Sequence, residues 1–512
     1  MTPRASLVFA AALASATAAF AQYTGPSSSA SSYLTPTTSG WSSTSLLTVG
    51  DSVGGYKMVG IPDGLGAYDN GNGTITVLMS HELQPTAGVD RAHGAKGAFV
   101  SEWTINKNTL AVTAGRDLAT DVKTWNGSTW ETPRTAYAIA RLCSADLPSA
   151  SAFHNTASGK GTTDRIFMSG EETGPEGKVF GFVATGAEAR IAYELPKLGK
   201  LSWENAVANP FSGDKTVVIG TDDATPGQVY VYVGDKTNTG NAVERAGLAN
   251  GTHSGIKVAG IAKENTVGTN ANGAVGTFTT EAINTNATGA AQQTAAVAAG
   301  VTEFARPEDS AWVDANTFVF VTTGATVDGI TQSSKLYKVD FSDSTFTGGE
   351  VSLVLDSVNL TGKDGAIARK FDNLTVGEDG KVYIQEDPGN DAYIAKTWAV
   401  DLNNPAAAEQ IFESDQARFL TPTAPFSLDE EHSGIIDVTS LFADASWYVE
   451  GTQVLLADTQ AHYPNGDELV EGGQLSLLTN GTSPIPEPST YAAIAGGLGL
   501  VLAVVRRRAS RR

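Results

Sequence analysis

The residues of this chain with the clearest chemical potential are acids that recur at the ends of similar apolar runs. TITVLMSHE (74–82), RIFMSGEE (165–172), KTVVIGTDD (215–223), NTFVFVTTG (316–324), KVYIQEDPG (381–389) and TQVLLADTQAH (452–462) each close in polar residues, acidic in five of the six. The acids at these ends are Glu82, Glu171, Glu172, Asp222, Asp223, Glu386 and Asp387. A second set opens the segment before each run: Asp63, Asp146, Glu204, Glu308, Asp372 and Ser433. Two carboxylates about 4 Å apart in a medium of effective dielectric about 20 repel by about 4 kcal/mol. Such a set must be protonated, diluted by water or neutralised by cations. Hard oxygen ligands favour calcium or magnesium, so the expected chemistry is cation binding, with calcium first. Taken singly, each acid is more simply an exposed turn residue. The case rests on recurrence.

Competing chemistries find less support. The six histidines, His81, His93, His154, His253, His432 and His462, form no H-x-x-x-H or H-E-x-x-H pattern. His81, His432 and His462 stand near the acids, yet a lone histidine is most often buried and hydrogen-bonded. No phosphate-cradling G-x-x-x-x-G-K-[ST] is present.

The elements that position the acids form a repeat. After each apolar run comes a second strand, at 99–105, 178–183, 228–233, 335–339, 394–400 and 474–478. Before each comes another, at 63–69, 145–153, 204–210, 308–314, 372–377 and 433–438. Short β-branched and aromatic runs separated by Gly, Asn, Asp, Ser and Thr predict an all-β protein. Six similar strand groups predict a six-bladed β-propeller with inserted loops; a pair of β-sandwiches is the alternative. In a propeller the opening residues of the first strands gather at one mouth of the channel, with the turn-side acids one strand further out. Residues 112–140, with Trp125 and Trp130, read as a polar loop, and 262–300, low in complexity, as a long surface loop. Trp103, Trp203, Trp312, Trp398 and Trp447 fall in or beside strands and read as core.

The ends point to export. Residues 1–21 carry Arg4, an apolar stretch and Ala19-Phe20-Ala21, the pattern of a secretory signal peptide. Residues 22–46 read as a flexible Ser/Thr-rich lead-in, and 47–480 as the body. Residues 484–512 place Pro486-Glu487-Pro488 before an apolar run and five arginines. That order resembles the PEP-CTERM sorting signal, which implies an exosortase-like sorting machinery. It also implies a periplasmic, cell-surface or matrix location in a Gram-negative bacterium, with membrane contact only through the tail. The net charge is −21; Arg4 and the five tail arginines contribute +6, leaving −27 on residues 22–505. Such a body repels nucleic acid. A single cysteine, Cys143, excludes a disulfide framework.

Several motifs, in order, carry a second resemblance. They are LMSHE (78–82), the paired Glu171-Glu172 after RIFMSG, LGKLSWEN (198–205), FARPED (304–309), DNLTVGEDGKVYIQED (372–387), and EHSGIID (431–437) with ADTQAH (457–462). The set is similar to that of the PhoX-type alkaline phosphatases, six-bladed propellers whose mouth holds calcium and iron and which hydrolyse phosphate monoesters. The resemblance implies Glu171, Glu172, Glu204, Glu308 and Glu386 as metal ligands, with Glu82, Asp222 and Asp372 as additional ones. It implies Arg306 as the phosphate-holding residue. The family's cysteine iron ligand directly precedes the paired glutamates, a position that is Gly170 here, so Ca2+ is expected and Fe3+ is not favoured. Cys143, 27 residues earlier, reaches the mouth only if the first strand of its group starts there. The family's Arg-Phe-x-His is Lys200-Leu201-Ser202-Trp203 here. The resulting expectation is an exported calcium-dependent phosphatase acting on a phosphate ester. The alternative is a non-catalytic, calcium-stabilised surface propeller binding matrix polysaccharide or protein.

Overall fold

A computed structural model describes residues 21–264, 273–389, 391–420, 426 and 429–481. The signal-peptide and sorting-tail expectations fall on residues outside that set, apart from Ala21. The described chain is almost entirely β, with a few short helices of which the longest is Gly289–Ala299.

Six strand groups follow one another. Their leading strands are Pro62–Asp69, Leu142–Asp146, Trp203–Ala208, Pro307–Trp312, Phe371–Val376 and Glu430–Asp437. Each pairs antiparallel with the apolar run that follows it. The leading strands contact one another in chain order, and the sixth returns to the first.

The apolar runs are buried on both faces, and alternation explains why. In Thr317–Thr322, Phe318 and Phe320 enter one core while Val319 and Val321 enter the next. In Thr74–His81, Ile75, Val77 and Met79 face one neighbour and Leu78 the other. Six apolar cores thus lie between consecutive groups, including one between the last group and the first. At about 25 cal/mol per Å2 of apolar surface removed from water, these interfaces hold the groups together without a disulfide. Trp103, Trp203 and Trp398 are buried as expected.

Three expected loops turn out to be structured. The lead-in 22–46 is built into two sheets. Trp41–Thr48 pairs antiparallel with Gly472–Asn480, so both ends of the described chain close the same sheet. Ala21–Thr24 lies parallel to it, and Leu34–Pro36 edges the fifth group. Its Ser/Thr content suggested solvation, but the hydroxyls are satisfied internally: Ser43 Oγ donates to Leu34 O at 2.6 Å, and Ser42 pairs with Thr479 at 2.8 Å.

The 262–300 segment supplies the strand Gly273–Ala282, which joins the third and fourth groups into one nine-stranded sheet. It also supplies the helix Gly289–Ala299, capped by Thr288 and ended by Gly300 at φ 81°. Within 112–140, Asp121–Trp125 runs parallel to Ile191–Glu194 and turns back as Trp130–Glu131.

Candidate metal centre

A single backbone device recurs in all six groups. Register breaks between Pro62 and Leu65, Leu142 and Ala145, Trp203 and Ala206, Pro307 and Ser310, Phe371 and Leu374, and Glu431 and Gly434. Each break sets three residue steps of the leading strand against two of its partner, which is a β-bulge. Bulges re-aim side chains and concentrate beside functional sites. The first bulged residue is Asp63, Cys143, Glu204, Glu308 and Asp372 in the first five groups, and His432 in the sixth. Just before the strand, Ile61, Arg141, Arg306 and Lys370 adopt φ of 50°, 44°, 61° and 50°. Left-handed backbone at a non-glycine residue is uncommon and collects at functional sites. Three of these four residues are basic.

The bulges bring two triads together. Ligand-capable atoms of Asp63, Glu82 and Cys143 lie within 4.8 Å of one another, as do those of Glu204, Asp223 and Glu308. Cys143 joins the triads, its Sγ donating to Glu204 Oε2 at 3.1 Å. Ser144 Oγ donates to Glu204 Oε1 at 2.6 Å and receives a bond from Asn373.

Two arginines clamp the edges. Arg306 forks onto Asp223, Nε to Oδ1 and Nη2 to Oδ2, both at 2.7 Å. Its Nη2 also lies 3.2 Å from Glu308. Arg141 bridges Glu82, at 2.6 Å, and Glu172. From the sixth group Gln460 donates to Asp63 at 3.0 Å and Glu82 at 3.2 Å. His462 stands 3.9 Å from Glu431 and 2.5 Å from Glu471.

The electrostatics follow from the crowding. Burial, then the Asp223 charge, pushes Glu204 up to about 8. Burial and Glu82 push Glu172 up to about 10. Asp63, Glu308 and Asp372 are raised well above the carboxylate range by burial and by acids across the centre. Burial and Asp63 likewise raise the Cys143 thiol. Arg306 is held charged above all by Glu308. Burial works against a charge on His462, yet its bonds to Glu431 and Glu471 raise it to about 11.

The structure separates the expected ligands into two sets. Glu172, Glu204, Glu308, Glu82 and Asp372 face the centre. Glu171, Asp222 and Glu386 do not, because each is engaged within its own strand group. Glu171 accepts from Tyr137 Oη and the amides of Ala140 and Lys178. Asp222 accepts from the Ser202 amide at 3.0 Å. Glu386 accepts from the amides of Arg369 and Lys396, Tyr393 Oη and Trp398 Nε1. The fourth group has Thr322 at that place, and Glu264 substitutes from the 262–300 segment. It accepts from the Ala305 amide, Tyr337 Oη and the fully buried Lys335.

Other expectations also shift. Asp146 lies at the far end of its strand, accepting from the Ala208 amide, and Cys143 occupies the place assigned to it. Ser433 sits in the second bulged position and donates to Pro62 O. His432 is buried between Thr397 and Ser414, and Glu431 is the residue whose charge reaches Asp63. The turn-side acids Glu82, Glu172 and Asp223 meet the opening residues instead of lying further out. The strand of Cys143 starts at Leu142, which meets the condition for its reaching the centre, whereas Arg141 was not anticipated, although RLCSAD repeats the basic-x-ligand order of RPE at 306–308.

Gly50-Asp51-Ser52-Val53-Gly54 has the spacing of a nucleophile elbow. Ser52, however, lies exposed in a two-residue hairpin with Tyr56–Lys57, with no helix after it. It is not an elbow.

The donor set fits metal ions. Asp458 Oδ2, Gln460 Oε1 and Asn373 Oδ1 are buried acceptor oxygens with no hydrogen-bond partner among the described residues. Orphaned acceptors beside crowded carboxylates suit hard cations, and a thiol among them suits a softer transition metal.

The sequence profile of the family described as alkaline phosphatase PhoX matches residues 153–419, and the chain belongs to that family. Among solved structures it is similar to Pseudomonas fluorescens PhoX in complex with vanadate, a transition state analogue. That likeness has 13% identity and a TM-score of 0.56, over 86% of this chain and 95% of that one. It is also similar, at 9% identity and a TM-score of 0.37 over 85% and 98% of the two chains, to a Dyadobacter fermentans protein of unknown function; so low a score carries no argument. No curated protein matches the sequence.

Proposed function

We propose that this protein is a metal-dependent phosphoric monoester hydrolase built as a six-bladed β-propeller whose last sheet is closed by Trp41–Thr48, with the acidic centre at one mouth of its channel. The supporting observation is Arg306. Its guanidinium spans Asp223 and Glu308 at the edge of the two triads, which meet through the Cys143 thiol. A guanidinium fork matches phosphate oxygens, and an acidic mouth without cations repels phosphate. Bound metal ions would polarise the phosphoryl oxygens and offset charge in the transition state.

Asp63, Glu82, Cys143, Glu204, Asp223 and Glu308 would hold the ions, with Glu172 and Asp372 beside them. Arg306 would orient the phosphate, with Arg141 opposite. Ser144 and Asn373 fix the Glu204 carboxylate. Calcium suits the oxygen-only parts of the set. Cys143 meets the condition set for it, since its strand starts at Leu142, and it gives iron a ligand that Gly170 does not.

Gly170 and Trp203, which depart from the family's motifs and so favour the non-catalytic alternative, are a packing pair. A Cβ on Gly170 would lie 2.3 Å from Trp203 Cβ. They sit outside the centre, and the catalytic reading is preferred. The signal peptide and the PEP-CTERM-like tail extend the proposal to an exported protein sorted to the cell surface.

The test is hydrolysis of p-nitrophenyl phosphate by protein purified, stripped with chelator and reloaded with calcium, iron or both. Turnover that disappears on stripping and returns on reloading supports the proposal. No turnover with both metals supplied overturns it.

A further inference from the structure

A cavity of about 370 Å3 opens outside the centre, between the Asp121–Glu131 insertion and the turn before the Gly289–Ala299 helix. Its size is that of a small-molecule site. Trp125, Lys178, Lys197, Lys200, Glu194 and Asn286 line it. Three lysines and one carboxylate line it, in a chain of net charge −21. Lys197 enters no ion pair among the described residues, whereas Lys178 is bound to Glu194 at 3.1 Å and Lys200 to Glu176 at 3.0 Å.

The indole is held in place. The Trp125 amide donates to Glu194 Oε2 at 3.0 Å, and its ring meets Trp130 edge-on at 4.6 Å. Trp130 is in turn fixed by Nε1 donating to Glu194 O at 2.7 Å and by its contact with Tyr193. Two loops that by sequence pattern read as polar insertions thus meet to form one concave, aromatic, lysine-lined pocket.

The walls of the pocket connect to the centre. The Lys178 amide donates to Glu171, the neighbour of Glu172. Lys200 precedes Leu201 and Ser202, and the Asp223 amide donates to Ser202 O. The Gly199–Lys200 wall is braced by buried Gln292, which accepts from the Lys200 amide.

We propose that this pocket binds an anionic sugar, its ring against Trp125 and its carboxylate or phosphate against Lys197 and Lys200. Indole faces accept apolar ring surface and place polar groups at the edge, and ammonium groups are point-charge partners for anions. Resting on the phosphatase reading, the pocket selects the alcohol part of the ester: a sugar phosphate with a second anionic group, free or within an acidic glycan.

The test separates the two claims by measuring binding without turnover. Calorimetry of the full body with tetragalacturonate, which carries no phosphate, is expected to show binding that persists in chelator. Lys197→Glu and Trp125→Ala are each expected to weaken it at least tenfold, with melting temperature checked for both. Cellotetraose, the neutral control, is expected to bind at least tenfold more weakly. Kinetics form the second arm: Lys197→Glu is expected to raise KM for glucose 1,6-bisphosphate and leave phenyl phosphate unchanged. Binding of tetragalacturonate identifies a glycan chain as the source of the anionic sugar. Binding of the bisphosphate alone identifies a small sugar phosphate. If neither ligand binds, or both bind equally well to the folded Lys197→Glu and Trp125→Ala variants, the proposal is wrong. A protein that hydrolyses nothing but binds tetragalacturonate through Lys197 overturns the phosphatase reading and leaves the pocket standing.

Discussion

Glu171 and Glu172 are neighbours in sequence and opposites in role. Glu171 turns into its own strand group and is saturated by the Ala140 and Lys178 amides and Tyr137. Glu172 turns to the centre, where Arg141 and the charge of Glu82 meet it. The same split divides Asp222 from Asp223, since only Asp223 reaches Arg306. It also divides Glu386, held by four donors, from Asp387, which lies in the field of the central charges. One set is held within its own strand group, and the other faces the central charges. Strand alternation places successive side chains on opposite faces, so a pair of acids at a strand end supplies one residue of each kind.

The comparison can be broken or sharpened by mutation. The largest effect is expected at Arg306, on the central side. Arg306→Ala should lower kcat/KM for p-nitrophenyl phosphate by about 100- to 1,000-fold, the scale of losing one preorganised charge-stabilising donor. The metal-loaded fold should persist by circular dichroism. A loss below tenfold would remove Arg306 from phosphate binding.

On the other side, Glu386→Gln should leave buried donors facing an amide. It should cost about 1–3 kcal/mol of stability in denaturant titration, with or without metal. Activity per folded molecule should stay within a factor of a few. A variant as stable as the parent would mean that the amide-held acids are not structural.

The third effect is on pH. Glu204 and Glu431 have folded values of about 8 and about 7, above their unfolded ones. The folded state therefore holds more protons, and stability falls as pH rises from about 4 toward 8. Chelated protein should melt at a lower temperature at pH 8 than at pH 5.5. Calcium should restore more stability at pH 8, because cations replace the protons. Equal calcium effects at both pH values would mean that the acids do not share a cation.

The sequence showed the strand groups well, because runs buried on both faces read as continuous apolar stretches. It located the acids but could not orient them. The opening residues are oriented by the bulge register, which turns on one extra residue and leaves no mark in composition, and the turn-side pairs by which member strand alternation sends inward. That is why Glu171, Asp222 and Glu386 were grouped with Glu172 and Glu308. Cys143 was legible only conditionally, since its role depended on where one strand begins. Trp41–Thr48 was hidden because its serines and threonines bond inside a sheet. Glu264 was hidden because it replaces Thr322 from a remote segment, and local pattern carries no sign of such a substitution.

The claim that two sets of acids divide structure from metal binding is tested most directly by metal analysis of two variants. Glu308→Gln and Glu386→Gln are purified side by side, loaded with calcium and iron, desalted and measured by mass spectrometry of the elements. The division predicts that Glu308→Gln loses at least one metal equivalent, with affinity down more than about 100-fold, beyond the loss of an outer-shell partner. It predicts that Glu386→Gln keeps the full complement of the parent. Equal retention by the two, or loss by Glu386→Gln alone, would contradict it.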